Sequence, residues 1–96
     1  MAVRVYLTQM LARHLDIAPE LAVEAKSLGG LFDEIEKKHQ GFRDSICDEM
    51  GRIRTYVNVF VNGENVRQEA QALSTPLSDG TEVYILASVA GGTFRL

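Results

Sequence analysis

One cysteine, no tryptophan and no long hydrophobic run distinguish this 96-residue chain, and each shortage excludes something. Cys47 alone cannot close an internal disulfide, nor can it supply an all-cysteine zinc or iron–sulfur site within one chain. His14 and His39 are widely spaced and form no metal-ligand pattern with Cys47, so neither a metal site nor a bound cofactor is expected. The longest apolar stretch, Val83 to Ala87, is far short of the ~18 residues that a membrane-spanning helix needs. Met1, Ala2, Val3 and Arg4 lack the charged start and apolar run of a signal peptide, which points to the cytoplasm and to no membrane partner. A formal charge of −3 argues against nucleic acid as the main partner. What remains is an ordinary globular composition of a length suited to one domain with its own core.

Apolar alternation marks the strands. Val3, Val5 and Leu7 fall on one side of the first segment, with Arg4, Tyr6 and Thr8 on the other. Gln9 to Pro19 is mixed, a helical turn or an apolar loop around Met10, Leu11 and Leu15. Glu20 to Ala25 alternates again, so the first two strands predict a hairpin with a long connection. From Ser27, a plausible N-cap, Leu28, Leu31, Phe32 and Ile35 trace one apolar stripe of a helix. Asp33, Glu34, Glu36, Lys37 and Lys38 are expected on its solvated side, and Gly41 is expected to stop it in a left-handed conformation. Gly29 and Gly30 weaken the first turn, and close packing against a sheet is one reason to keep them.

The four-residue spacing of Phe42, Ile46 and Met50 allows a short second helix ended by Gly51. Thr55 to Asn62 is the strongest strand, with Val57, Val59 and Val61 on one face. Asn62-Gly63 then predicts a two-residue hairpin turn and a short return over Glu64 to Arg67. Leu73 is expected to anchor the following link, and Thr75 to Gly80 is dense in turn residues. A last strand, Thr81 to Ser88, sets Val83 and Ile85 against Glu82, Tyr84 and Leu86. The order predicts an α+β fold: a mixed sheet of four or five strands with one main helix on one face. The first and last strands can pair in parallel, because the helical middle supplies the crossover.

Side-chain chemistry for an enzyme is thin. A Cys47–His39 nucleophile pair has no acid, turn or glycine motif around it, and Gly29-Gly30 lacks the Lys-Ser/Thr of a phosphate-cradling loop. The sheet's outer face is richer. Tyr6, Tyr56, Phe60, Tyr84 and Leu86 all fall opposite the valine faces, either as cross-strand pairs or as an uncovered apolar patch that serves as a partner surface. After the last strand come Ser88, Val89, Ala90, Gly91 and Gly92. Six extended residues from Ala87 reach about 20 Å, enough to carry a carboxylate into a partner's active site, although a frayed end would look the same.

The run from Leu77 through Ser78-Asp79-Gly80 and the last strand to Gly91-Gly92 resembles the C-terminus of the ubiquitin-like β-grasp sulfur carriers. That family includes the small subunit of molybdopterin synthase, the thiamine-pathway carrier and the carrier of an alternative cysteine pathway. Gly51 to Arg67 is most similar to the cysteine-pathway type. The resemblance implies a β-grasp carrier domain over residues 1–92 that is not itself an enzyme. It further implies adenylation of the Gly92 carboxylate by an E1-like partner using ATP, conversion to a thiocarboxylate, and delivery of sulfur to a biosynthetic enzyme. The aromatic patch would be the docking face. Thr93, Phe94, Arg95 and Leu96 depart from the family pattern and lock the Gly92 carboxylate in a peptide bond. The resemblance implies their removal at the Gly92–Thr93 junction by a metal-dependent peptidase of the JAMM type. Two alternatives remain open: a ubiquitin-like modifier joined through Gly92 to target lysines, and a pure interaction module.

Overall fold

The architecture is taken from a computed structural model, which describes residues 2–66 and 72–87. Alternation becomes strand over most of each regular run, although β2 stops two residues short of Ala25. β1 (Val3–Leu7) is followed by α1 (Gln9–Leu15) and β2 (Glu20–Val23), then by α2 (Leu28–Lys38) and α3 (Phe42–Ile46). β3 (Val57–Val61) and β4 (Glu64–Asn65) form the next hairpin, a 3₁₀ turn covers Ala72–Ser74, and β5 is Glu82–Ala87. The five strands make one mixed sheet in the order β2-β1-β5-β3-β4. The predicted hairpin pairs β1 with β2 antiparallel, and the predicted parallel ladder joins β1 to β5 from Arg4↔Glu82 to Leu7↔Ile85. β3 completes the centre antiparallel to β5.

The inner face of the sheet and the stripe of α2 form the core. Val3, Val5, Val57, Val59, Val83 and Ile85 are buried beneath Leu28, Leu31, Phe32 and Ile35. Fully burying an aliphatic side chain is worth about 1.5–3 kcal/mol, so this layer is the main source of stability. Phe32 meets Phe42 of α3 edge-on, with ring centroids 5.8 Å apart. The Ser27 hydroxyl accepts from the Gly30 N–H at 3.1 Å, capping α2 as expected. The Asn62-Gly63 turn has φ of 49° and 86°, the left-handed pair that a tight hairpin requires.

Several local expectations change. α2 ends at Lys38 with His39 as its cap, and Gly41, left-handed at φ 96°, starts α3 instead of stopping α2. Glu36 is not simply solvated: its carboxylate accepts from the Arg43 N–H at 2.8 Å and the Gly41 N–H at 3.1 Å, satisfying donors at the start of α3. Gly29 packs closely against the 3₁₀ turn and not the sheet, since a Cβ there would lie 3.1 Å from the Leu73 carbonyl oxygen. Leu73 is half-buried against the core, while Ala72 beside it is buried. α3 ends at Ile46, short of Met50, because Cys47 turns extended to bridge Ile53 and the Asp48 carboxylate accepts from the Met50 and Arg52 N–H groups. Met50 is accordingly 75% exposed. β3 begins at Val57, with Thr55 and Tyr56 in the preceding turn. The predicted end of the β4 return, Arg67, lies outside the described residues.

Two stability measurements follow. Ser27→Ala, which removes the cap but keeps the main-chain bond from Leu28 N–H to the Thr75 carbonyl, is expected to cost about 1 kcal/mol in chemical denaturation. An unchanged denaturation midpoint would show that the cap contributes nothing. The two N–H donors hold the Glu36 carboxyl below its ordinary pKa, so its contribution is present above the unfolded-state value and is lost as pH falls through the lower folded value. Glu36→Gln is therefore expected to be less stable than the parent at neutral pH, with the gap closing in acid. A gap independent of pH contradicts this assignment.

Candidate functional site

The outer face of the sheet is set by register. Tyr6 stands opposite Glu20 on β2 and Tyr84 on β5; Tyr84 stands opposite Phe60 on β3, and Phe60 opposite Asn65 on β4. One row, Glu20–Tyr6–Tyr84–Phe60–Asn65, thus crosses all five strands. Neighbouring strands lie about 4.8 Å apart, close to the thickness of a ring stack, and the parallel register brings Tyr6 and Tyr84 face to face. Their ring centroids are 4.6 Å apart at 17°. Leu86, opposite Asn58, extends the patch toward the end of β5. Tyr84 is 37% exposed and Leu86 36%, while the buried alternate positions of the same strand face the core.

Polar groups border the patch. The Arg4 guanidinium pairs with Glu20 at 3.0 Å, and Arg4 is also in register with Glu82. The Asn65 side-chain amide donates to Asn58 Oδ1 at 3.2 Å. Partial desolvation, with the carboxylate of Glu82 nearby, raises the Tyr84 phenol above its ordinary pKa.

Of the five residues expected on this face, four are brought together: Tyr6, Phe60, Tyr84 and Leu86. Tyr56 is not. It sits in the turn ahead of β3, half-buried and packed against the core cluster, because strand parity holds only where there is a strand. The acidic border was missed from the sequence, since placing Glu20 beside Tyr6 requires the β1–β2 register. Ala90, Gly91, Gly92 and Thr93, expected to carry the tail chemistry, lie outside the described residues, as does Ser88. The last described residue of β5, Ala87, pairs with Val57 in the middle of the sheet.

Other chemistry is weak. Cys47 is 3% exposed and burial raises its thiol pKa, the opposite of what an active nucleophile needs. Among the described residues no group of three or more His, Cys, Asp or Glu could hold a metal ion, and no helix is long and apolar enough to cross a membrane.

Comparison with known proteins gives a consistent result. The model of the ThiS family matches residues 10–92. The sulfur carrier protein CysO of Mycobacterium tuberculosis is 31% identical over 94 residues, spanning 96% of this chain and 100% of that protein. A chain in the crystal structure of the BexX/CysO complex of Amycolatopsis orientalis superposes with a TM-score of 0.81 at 28% identity, covering 95% of this chain and 100% of that one. The solution structure of small archaeal modifier protein 1 from Methanosarcina acetivorans gives 0.73 at 27% identity, covering 95% and 96%. The fold is the ubiquitin-like β-grasp.

The stacked pair gives the face a measurable signature. A double-mutant cycle with Tyr6→Ala and Tyr84→Ala is expected to show a favourable coupling of about 0.5–1 kcal/mol in chemical denaturation. Strictly additive effects would show that the rings do not interact.

Proposed function

This chain belongs to the ThiS family, and on that premise we propose that it is a sulfur carrier protein whose reactive group is the carboxylate of Gly92. The carrying observation is the extent of the family match, which covers residues 10–92 and ends on the diglycine. The absence of an activated side chain in the described body agrees with chemistry at the main chain.

In this reading the chain is the substrate of its partners and does not catalyse. A metal-dependent peptidase of the JAMM type hydrolyses the Gly92–Thr93 bond, freeing the Gly92 carboxylate and taking the formal charge from −3 to −4 by loss of Arg95. An E1-like enzyme then uses ATP. A Gly92 carboxylate oxygen attacks the α-phosphorus, pyrophosphate leaves, and an acyl adenylate forms. A sulfur donor at the sulfide level attacks the carbonyl, AMP departs, and Gly92 becomes a thiocarboxylate. The thioacid is a stronger nucleophile than the acid and passes its sulfur to a biosynthetic enzyme. The likeness to CysO favours a cysteine-forming pathway.

Tyr6, Phe60, Tyr84 and Leu86 serve as the docking face. β5 carries two of them and leads directly to Ser88 and the tail. The five residues after Ala87, Ser88 to Gly92, can span at most about 17 Å, so the partner's reacting atoms must lie within that reach of the end of β5. Gly91 and Ala90 offer the least side-chain bulk to a narrow channel.

A second reading has its own support in the similarity to small archaeal modifier protein 1: the activated Gly92 carbonyl meets a lysine amine instead of sulfur, giving an isopeptide. Intact-mass analysis of the chain purified from cells that make it separates the two. The carrier reading expects a form ending at Gly92 with one sulfur-for-oxygen exchange. Thiolation on a chain that keeps Thr93–Leu96 overturns the processing step, and Gly92 found in an isopeptide bond overturns the carrier in favour of the modifier.

A further inference from the structure

The outer face of the sheet has a chemical match within the chain itself. β5 crosses the centre of that face with Leu86, Tyr84 and Glu82 all pointing outward. Arg4 stands in register with Glu82, but its guanidinium is committed to Glu20 at 3.0 Å. Among the described residues Glu82 therefore has no ion pair. Its place is fixed, because its N–H donates to Asn62 Oδ1 at 3.0 Å and its carbonyl accepts from the Asn62 N–H at 2.8 Å. Running back along β5 from Ala87, the face thus presents an aliphatic side chain, a stacked tyrosine pair and an uncompensated carboxylate.

Phe94, Arg95 and Leu96 offer the complement in consecutive positions: a ring, a guanidinium and an aliphatic side chain. A ring can pack on the tyrosine pair, and a guanidinium can pair with Glu82 while lying against Tyr84. The length of chain allows both. At ~3.4 Å per residue, Tyr84 lies about 10 Å back from Ala87 and Glu82 about 17 Å. Phe94 and Arg95 are seven and eight residues beyond Ala87, with extended reaches of about 24 and 27 Å. The surplus of roughly 10–14 Å lets the chain reverse, and Gly91-Gly92 supply the backbone freedom to do so. In a polyproline-type segment successive side chains are about 120° apart, so Phe94 and Arg95 can touch one surface.

We propose that in the unprocessed chain residues 93–96 fold back over the outer face, Phe94 on the Tyr6–Tyr84 pair and Arg95 on Glu82, so that cutting the Gly92–Thr93 bond uncovers the face and frees the carboxylate together. The fold-back stands on the sheet and the sequence; its release by cutting rests on the carrier reading and its processing junction. A tether this short gives an effective concentration on the order of millimolar, so a contact of millimolar affinity is occupied about half of the time. Once cut, Ser88 to Gly92 retain neither ring nor cation, and nothing in the tail can hold the face. A chain whose carboxylate is still blocked is thereby kept from docking.

NMR of the isotopically labelled full chain tests the fold-back directly. Nuclear Overhauser contacts are expected from the Phe94 ring to Tyr84 and Leu86, unchanged on dilution. The Tyr84 and Leu86 signals should move when Phe94→Ala is combined with Arg95→Ala. Glu82→Gln is expected to release Arg95 to trypsin, so that cleavage of the Arg95–Leu96 bond, read by mass, quickens by up to about twofold, the limit for a contact occupied half of the time. Glu82→Lys alone and Arg95→Glu alone should each weaken the Phe94 contacts, and the two together should restore them. Glu82 is exposed and the other positions lie beyond the described fold, so these changes leave the core intact. Face signals indifferent to Phe94 and Arg95, a trypsin rate unchanged by Glu82→Gln, or a charge swap that restores nothing would each overturn the proposal. Contacts that fade on dilution would overturn it too, by assigning them to a second copy of the chain. None of these readouts involves sulfur: a chain that is never thiolated ends the carrier reading and leaves the fold-back standing, while missing contacts end the fold-back alone.

Discussion

Parallel pairing of β1 with β5 joins the two ends of the described chain, and most other features depend on that ladder. It places both strands at the centre of the sheet, so their inner residues, Val3, Val5, Val83 and Ile85, sit where burial is complete. A parallel pair needs a long crossover, and α2 lies within the one here, covering the inner face as the chain passes over. The hairpins on either side add strands to a centre that the ladder has defined. Contacts between such distant residues cannot form locally, so the central sheet and the helix above it must assemble together.

The same ladder makes the two faces unequal. Parallel register aligns Tyr6 with Tyr84 at strand spacing, and antiparallel register adds Phe60, so an aromatic row forms opposite the valines. The inner face is closed by Leu28, Leu31, Phe32 and Ile35, and among the described residues no element lies across the outer one. A stack worth on the order of 1 kcal/mol is a small part of a fold whose core side chains each contribute more. Tyr84, 37% exposed beside the half-buried Tyr6 and Phe60 and bordered by Arg4, Glu20 and Glu82, matches the centre-and-rim pattern of a protein interface better than that of a core.

Period-two alternation made β1, β3 and β5 legible in the sequence, because each has one face that must be buried and a slip of one residue would expose it. The α2 stripe and its Ser27 cap were legible for the same kind of local reason. Legibility failed where a residue's role is set by something distant. Glu36 lies on the side of α2 that periodicity assigns to water, yet its carboxylate reaches the backbone of the next helix. Gly29 is shaped by the Leu73 carbonyl, more than forty positions away, in a 3₁₀ turn that no apolar pattern announces. Tyr56 follows the parity of β3 but precedes its first residue, so its ring packs with the core instead of the outer row. The acidic border needed the β1–β2 register. The diglycine was legible only through its resemblance to a family, since Gly-Gly has no side chain whose chemistry could declare it.

A central last strand also answers a mechanical question that a tethered carboxylate raises. β5 is held by β1 on one side and β3 on the other, and its inner side chains are fully buried. Drawing the tail into a partner's active site therefore cannot peel β5 away without breaking two ladders and exposing Val83 and Ile85. Had the last strand been an edge, tension on the tail would act against one ladder, and the reach of the carboxylate would grow as the strand frayed. With β5 in the middle, the point where the tail begins is fixed relative to Tyr6, Tyr84 and Leu86. On the proposed carrier reading, the distance from the docking face to the Gly92 carboxylate would then be limited by the few residues beyond Ala87.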